Sequence, residues 1–90
     1  MELRDTIEMM QSEDYKERFK AEYYQTKIRY DKLKHFNTVI EAAEMTAYAD
    51  NAVEIPEHDC PLHLLRDQQR VMGEYLHILE VRAVIENIDL

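Results

Sequence analysis

The sequence predicts an all-α fold: an antiparallel helical hairpin with a short N-terminal helical arm, oligomerising through apolar surface that the hairpin leaves over. Three observations predict it. Only 1 Gly and 2 Pro occur in 90 residues, whereas a sandwich or barrel needs a turn signal about every 8–12 residues. From Tyr15 to Ala49 no Gly or Pro interrupts a run of residues spaced by three and four. A second periodic run follows Pro56 and Pro61.

The elements follow in order. Leu3, Ile7 and Met10 have helical spacing and form the arm. Ser12, followed by Glu13 and Asp14, is a helix start: a serine caps free backbone N–H groups, and acids in the first turn suit the helix dipole. Phe19, Tyr23, Thr26, Tyr30, Leu33, Asn37, Ile40 and Ala47 then mark one long helix over about 13–49, roughly 50 Å at 1.5 Å per residue. Pro56 and Pro61 exclude a helix between Asp50 and Pro61, and Pro61 suits the first position of the next one. The second helix covers about 62–86. Its seam is Leu62, Leu65, Gln69, Met72, Leu76, Leu79 and Ala83. A further stripe of Val71, Tyr75, Ile78 and Ile85 lies beside that seam. A hairpin has one internal interface, so this stripe needs a second copy of the chain, or the arm folded back over it, to escape water. We expect a homo-oligomer.

Charge and motifs narrow the function. The formal charge is −8, which disfavours duplex nucleic acid as a partner, because such binding rests on Lys and Arg against phosphates. No run of about 18 apolar residues is present, so no membrane span is expected, and the first ten residues lack a signal-peptide core. One cysteine excludes an internal disulfide and suits a cytoplasmic protein. G-x-S-x-G, a glycine-rich phosphate loop and H-E-x-x-H are all missing, so we expect no enzyme, no catalytic residue and no cofactor. His58, Cys60 and His63 have zinc-ligand chemistry, but a closed site needs four ligands and no second cysteine exists. They read first as a polar loop.

The most informative feature is a helix face. Residues 15–35 hold seven basic side chains against three acidic ones, in a chain that is acidic elsewhere. Lys16, Lys20, Tyr24, Lys27, Asp31 and Lys34 fall at steps of three and four and form one line. Tyr24 is flanked one turn either way by Lys20 and Lys27. A ring that stacks on a base, beside ammonium groups that meet phosphates, is what a nucleotide ligand requires. Tyr23 and Tyr30 sit on neighbouring lines and complete the candidate set of Lys16, Lys20, Tyr23, Tyr24, Lys27 and Tyr30. The same residues also fit a plainer arrangement, with Tyr23 and Tyr30 in the core and the lysines solvated. A different class of function is suggested by residues 36–65, which carry Glu41, Glu44, Asp50, Glu54, Glu57 and Asp59 without a Lys or Arg. Such a surface imitates a phosphate backbone and fits an acidic inhibitor that occupies a nucleic-acid-binding protein. A third class is a structural or regulatory component with no ligand.

The stretch DYKERFKAEYYQTKIRYDKLK (Asp14–Lys34), the pair Cys60-Pro61 and the stretch MGEYLHILEVRAVIENIDL (Met72–Leu90) resemble a family of small phage and prophage proteins of Gram-positive hosts. That family is similar, at the level of a helical hairpin, to phage sponges for cyclic oligonucleotide alarm signals: the anti-CBASS proteins and the hairpin domain of the anti-Thoeris proteins. The resemblance implies a compact oligomer in the host cytoplasm. It implies a protein that traps cyclic di- or trinucleotides between subunits without turnover and so silences a host effector. In the same phage setting the alternative is an acidic protein-binding inhibitor of a host defence enzyme, in the manner of an anti-CRISPR protein, acting through the acidic surface of residues 36–65.

Overall fold

The computed structural model describes all 90 residues. A 3-10 turn, Leu3–Thr6, runs into the short helix α1 (Ile7–Met10); the long helix α2 spans Tyr15–Met45, and α3 spans Leu62–Ile85. Contacts between the two long helices pair rising numbers on α2 with falling numbers on α3. Tyr23 meets Glu80, Asn37 meets Gln69, and Glu44 meets Arg66. The hairpin is therefore antiparallel, and the molecule is 53 Å long.

The helix ends differ from the sequence reading by a few residues, each for a visible reason. Asp14, not Ser12, caps α2: its Oδ1 accepts the Lys16 N–H at 3.0 Å, while Ser12 Oγ accepts the Asp14 N–H one step earlier. α2 stops at Met45 rather than about residue 49. Thr46 turns its hydroxyl back to donate to the Ala42 carbonyl at 2.7 Å, and the same hydroxyl accepts the Val53 N–H at 3.0 Å. A side chain that competes for the helix carbonyl and receives the returning chain closes the turn without Gly or Pro. Pro61 is the cap of α3 and not its first helical residue; its carbonyl accepts from Leu64 and Leu65. At the far end Asn87 takes a left-handed φ of 55°. Ile88 N–H then reaches the Ala83 carbonyl and Asn87 N–H the Val84 carbonyl, a Schellman closure that folds Ile88 into the core.

The core is one small cluster of Phe19, Tyr23, Leu76, Leu79, Ala83 and Ile88 at the open end of the hairpin. Nearer the loop, Ile40 and Ala43 are buried, and Asn37 sits between the helices. Its amide donates to the Leu65 carbonyl at 3.2 Å and to Gln69 Oε1 at 2.8 Å. A polar side chain at an interhelical layer stabilises little but penalises sliding of one helix past the other.

The N-terminal arm folds back onto α2. Thr6 is fully buried; its hydroxyl donates to the Leu3 carbonyl at 2.7 Å and accepts from Gln25 Nε2 at 2.9 Å. The arm lies on the side of α2 that carries Gln25 and Ile28. It does not reach the second stripe of α3. Val71, Tyr75, Ile78 and Ile85 consequently remain 52%, 38%, 54% and 73% exposed.

Candidate functional site

The lysine–tyrosine line runs along α2 beside the Gly73–Glu80 flank of α3. Tyr23 and Tyr30 turn inward from it. Tyr23 is buried, and its hydroxyl donates to Glu80 Oε2 at 2.6 Å. Tyr30 is half-buried over Gly73, where an added Cβ would stand 3.4 Å from its ring. The single glycine of the chain thus lets an aromatic ring lie close to the α3 backbone.

Tyr24 is different. It is half-buried and stands edge-on to Tyr23, centroid to centroid 5.3 Å, at 84°. Tyr23 therefore acts as a wall that fixes the angle of the Tyr24 ring. The lysines bracket it. Lys20 Nζ lies 3.3 Å from Glu17, and Lys27 Nζ lies 3.0 Å from Asp31 and 5.7 Å from the Tyr30 centroid. Lys16 Nζ donates to the Asn87 carbonyl at 3.2 Å, which ties the start of α2 to the end of α3. Surface pairs of this kind contribute about 0–1 kcal/mol, so they hold the ammonium groups only weakly. Glu17, Asp31 and Glu80 also lower the local positive potential below what the lysine count suggests.

The structure thus brings all six candidate residues to one side of the hairpin but gives them different tasks. Tyr23 and Tyr30 shape the wall, and Tyr24 with Lys16, Lys20 and Lys27 faces outward. The roles of Glu80, Gly73 and the Asn87 carbonyl are not visible in the helix line itself, since all three come from the other strand of the hairpin. His58 points a ring nitrogen at the Cys60 carbonyl, 2.8 Å away, and stacks edge-on against Phe36. No three His, Cys, Asp or Glu side chains are placed to hold a metal ion.

Around the open end the polar groups form a second cluster. Tyr15 donates to Glu86 at 2.8 Å and accepts from Arg82 Nη2 at 2.8 Å; Arg82 Nε also meets Glu86 at 3.0 Å. The Tyr15 hydroxyl, and after it the Arg82 guanidinium, hold the Glu86 carboxyl below its ordinary range. The tyrosines respond in the opposite direction. Burial, then the bond to Glu80, push the Tyr23 hydroxyl from its ordinary 10.0 up to about 12. Carboxylate partners raise Tyr15 and Tyr75 as well, through Glu86 and Glu22. A group whose folded pKa lies above its unfolded one binds its proton more tightly when folded. The stability it lends is fully present below the unfolded pKa and is lost as pH rises through the folded one. We expect the fold to weaken progressively between pH 10 and about 12, followed by circular dichroism and tyrosinate absorbance. Tyr23→Phe is expected to flatten that slope; an unchanged slope would mean that Tyr23 titrates like a free tyrosine.

A family model named Sequestin matches residues 13–85, which include both long helices and every candidate residue. The name denotes sequestration of a ligand. No curated protein and no solved structure matches the chain. With the match spanning the whole hairpin, the chain belongs to the Sequestin family.

Proposed function

We propose that this protein is a phage-encoded sponge. It binds cyclic oligonucleotide second messengers in the host cytoplasm, holds them without turnover and thereby evades a CBASS-like defence. The observation that carries the reading is the outward line of Lys16, Lys20, Tyr24 and Lys27, with Tyr24 braced by Tyr23 at 5.3 Å. A braced ring takes a base by stacking; ammonium groups on either side take the phosphates of a ligand that has no free end. Membership of a family named for sequestration supports the same reading. So does the sequence resemblance to hairpin sponges. No helix is long and apolar enough to cross a membrane, so the reading asks for no membrane partner. Because a sponge acts by mass action, it needs affinity and copy number rather than chemistry, and the oligomer expected from the sequence multiplies the sites on each particle.

Calorimetric titration with a panel of cyclic di- and trinucleotides tests the proposal, with the recovered ligand checked by chromatography. The expected result is submicromolar binding of at least one member and its return intact. Binding weaker than micromolar across the panel overturns the reading, and a cleaved product overturns the absence of turnover. A stoichiometric host protein captured through the acidic loop end, with no nucleotide bound, would instead favour the acidic inhibitor.

A further inference from the structure

We propose that the cleft between the N-terminal arm and α2 is the second half of the ligand site, where Lys32 and Arg4 take one phosphate while Lys20 and Lys27 take another. The ligand this fits carries two phosphodiesters on opposite sides of one ring, a cyclic dinucleotide. The inference rests on the nucleotide reading above and deepens it.

The cleft is an open cavity of about 390 Å³ lined by Met1, Glu2, Leu3, Arg4, Ile28 and Lys32. That volume lies within the range of about 300–1,000 Å³ usual for small-molecule sites. The arm that forms one wall is fixed at both ends. Thr6 is buried, and its hydroxyl accepts from Gln25 Nε2 of α2 at 2.9 Å. The start of the arm is held by its own bonds: Glu2 N–H donates to Asp5 Oδ2 at 2.7 Å, and Arg4 Nε donates to Glu2 Oε2 at 2.6 Å. The walls are therefore in place before a ligand arrives, and binding loses little to ordering them.

Spacing on α2 joins the cleft to Tyr24. Lys20, Tyr24, Ile28 and Lys32 are each four residues apart, and residues four apart form one ridge along a helix surface. The ridge reads cation, ring, aliphatic, cation. Its ends are about 18 Å apart between Cα atoms at 1.5 Å per residue, and the flexible stem of a lysine lets each ammonium group lean toward the middle. Tyr24 offers its ring to one base. Ile28 and Leu3, both half-buried, give the cleft an apolar floor for the other.

The charges call for an anion at the Lys32 end. Lys32 is exposed and makes no ion pair, whereas Lys20 has Glu17 and Lys27 has Asp31. Arg4 meets Glu2 through Nε and Nη2, so Nη1 is left to donate to a phosphate oxygen. Glu2 is the one acid among the lining residues, and its carboxylate is neutralised by Arg4. It competes with a phosphate for that guanidinium, which gives the proposal a test of opposite sign.

The test is calorimetric titration of the full chain with a panel of cyclic dinucleotides, comparing the parent with Lys32→Gln and Glu2→Gln at low and at physiological ionic strength. Both positions are exposed, so helical circular dichroism is expected to stay unchanged. Lys32→Gln is expected to weaken binding about 10-fold, as for loss of one charge-assisted hydrogen bond. It is also expected to lower the slope of log affinity against log salt by about 0.7. Glu2→Gln is expected to tighten binding, because it removes the carboxylate from the cleft and frees Arg4; an arm with a merely structural role gives no such gain. A second readout locates the ligand. On addition of the tightest member, the backbone amide resonances of residues 3–6 and 28–32 are expected to shift along with those of residues 20–27. A parent that binds a cyclic dinucleotide, with Lys32→Gln binding equally well or the resonances of residues 3–6 unmoved, overturns the cleft and leaves Lys20, Tyr24 and Lys27 standing. A parent that binds no member of the panel overturns the cleft together with the nucleotide reading.

Discussion

Leu79→Ala is expected to lower the thermal midpoint by roughly 10–30 °C. The estimate joins the 2–5 kcal/mol usual for a buried leucine truncated to alanine with about 4–8 °C per kcal/mol in a domain of this size. Leu79 is 0% exposed and belongs to the one hydrophobic cluster of the chain, which holds six residues. Only 11 of 90 residues are buried at all. A void at Leu79 therefore falls in the single place where α2, α3 and the returning Ile88 meet, with no second core to compensate. The neighbouring substitution is the control. Ile78→Ala removes a similar side chain from a position 54% exposed, and in dilute monomer it is expected to cost under about 0.5 kcal/mol, as for ordinary surface sites. Thermal circular dichroism at low concentration separates the two. Equal losses would mean that α3 is rotated about its axis relative to the arrangement described above.

That pair of adjacent residues shows how much of the fold is legible in the sequence. The seam of Leu65, Leu76, Leu79 and Ala83 and the stripe of Val71, Tyr75, Ile78 and Ile85 are both apparent from periodicity, because burial on a helix imposes a 3.6-residue rhythm. Periodicity reports the rhythm along α3, and the structure agrees with it on which line faces α2. The ends of helices are less legible because they are decided by single polar contacts. Asp14 and Ser12 are both good caps by type, and the hydroxyl of Thr46 closes α2 where neither Gly nor Pro announces it. The arm is legible as helical, but its docked face is not: of Leu3, Ile7 and Met10, the last two stay exposed, while Leu3 and Met9 are half-buried and Thr6 is buried with its hydroxyl on Gln25.

The candidate site divides in the same way. The lysine line is written in the spacing of α2 alone. The spacing also separates the two adjacent tyrosines, Tyr23 on the apolar stripe and Tyr24 on the lysine line, and the structure buries Tyr23 and leaves Tyr24 half-buried. What the spacing does not show is Glu80, fifty-seven residues away, whose carboxylate receives the Tyr23 hydroxyl. Likewise the partner of Lys16 is a backbone carbonyl at Asn87, present only because the chain there turns left-handed.

Tyr24→Ala is expected to weaken binding of the cognate cyclic nucleotide by about 5- to 150-fold, the range that corresponds to the 1–3 kcal/mol of one base stacked on an aromatic ring. The fold should survive, because Tyr24 is only half-buried and the core is closed by Tyr23 beneath it. Tyr24→Phe, which keeps the ring, is expected to bind nearly as the parent does. Lys20→Gln and Lys27→Gln act through charge and not through stacking, so their signature is different: each weakens binding and also makes the affinity less sensitive to salt, since one fewer phosphate is neutralised. Titration of these variants at low and at physiological ionic strength distinguishes the two kinds of loss. Should Tyr24→Ala bind as tightly as the parent while neutralisation of Glu41, Glu54 and Glu57 removes the biological effect, the working surface is the acidic end, and the lysine line is only a solvated helix face.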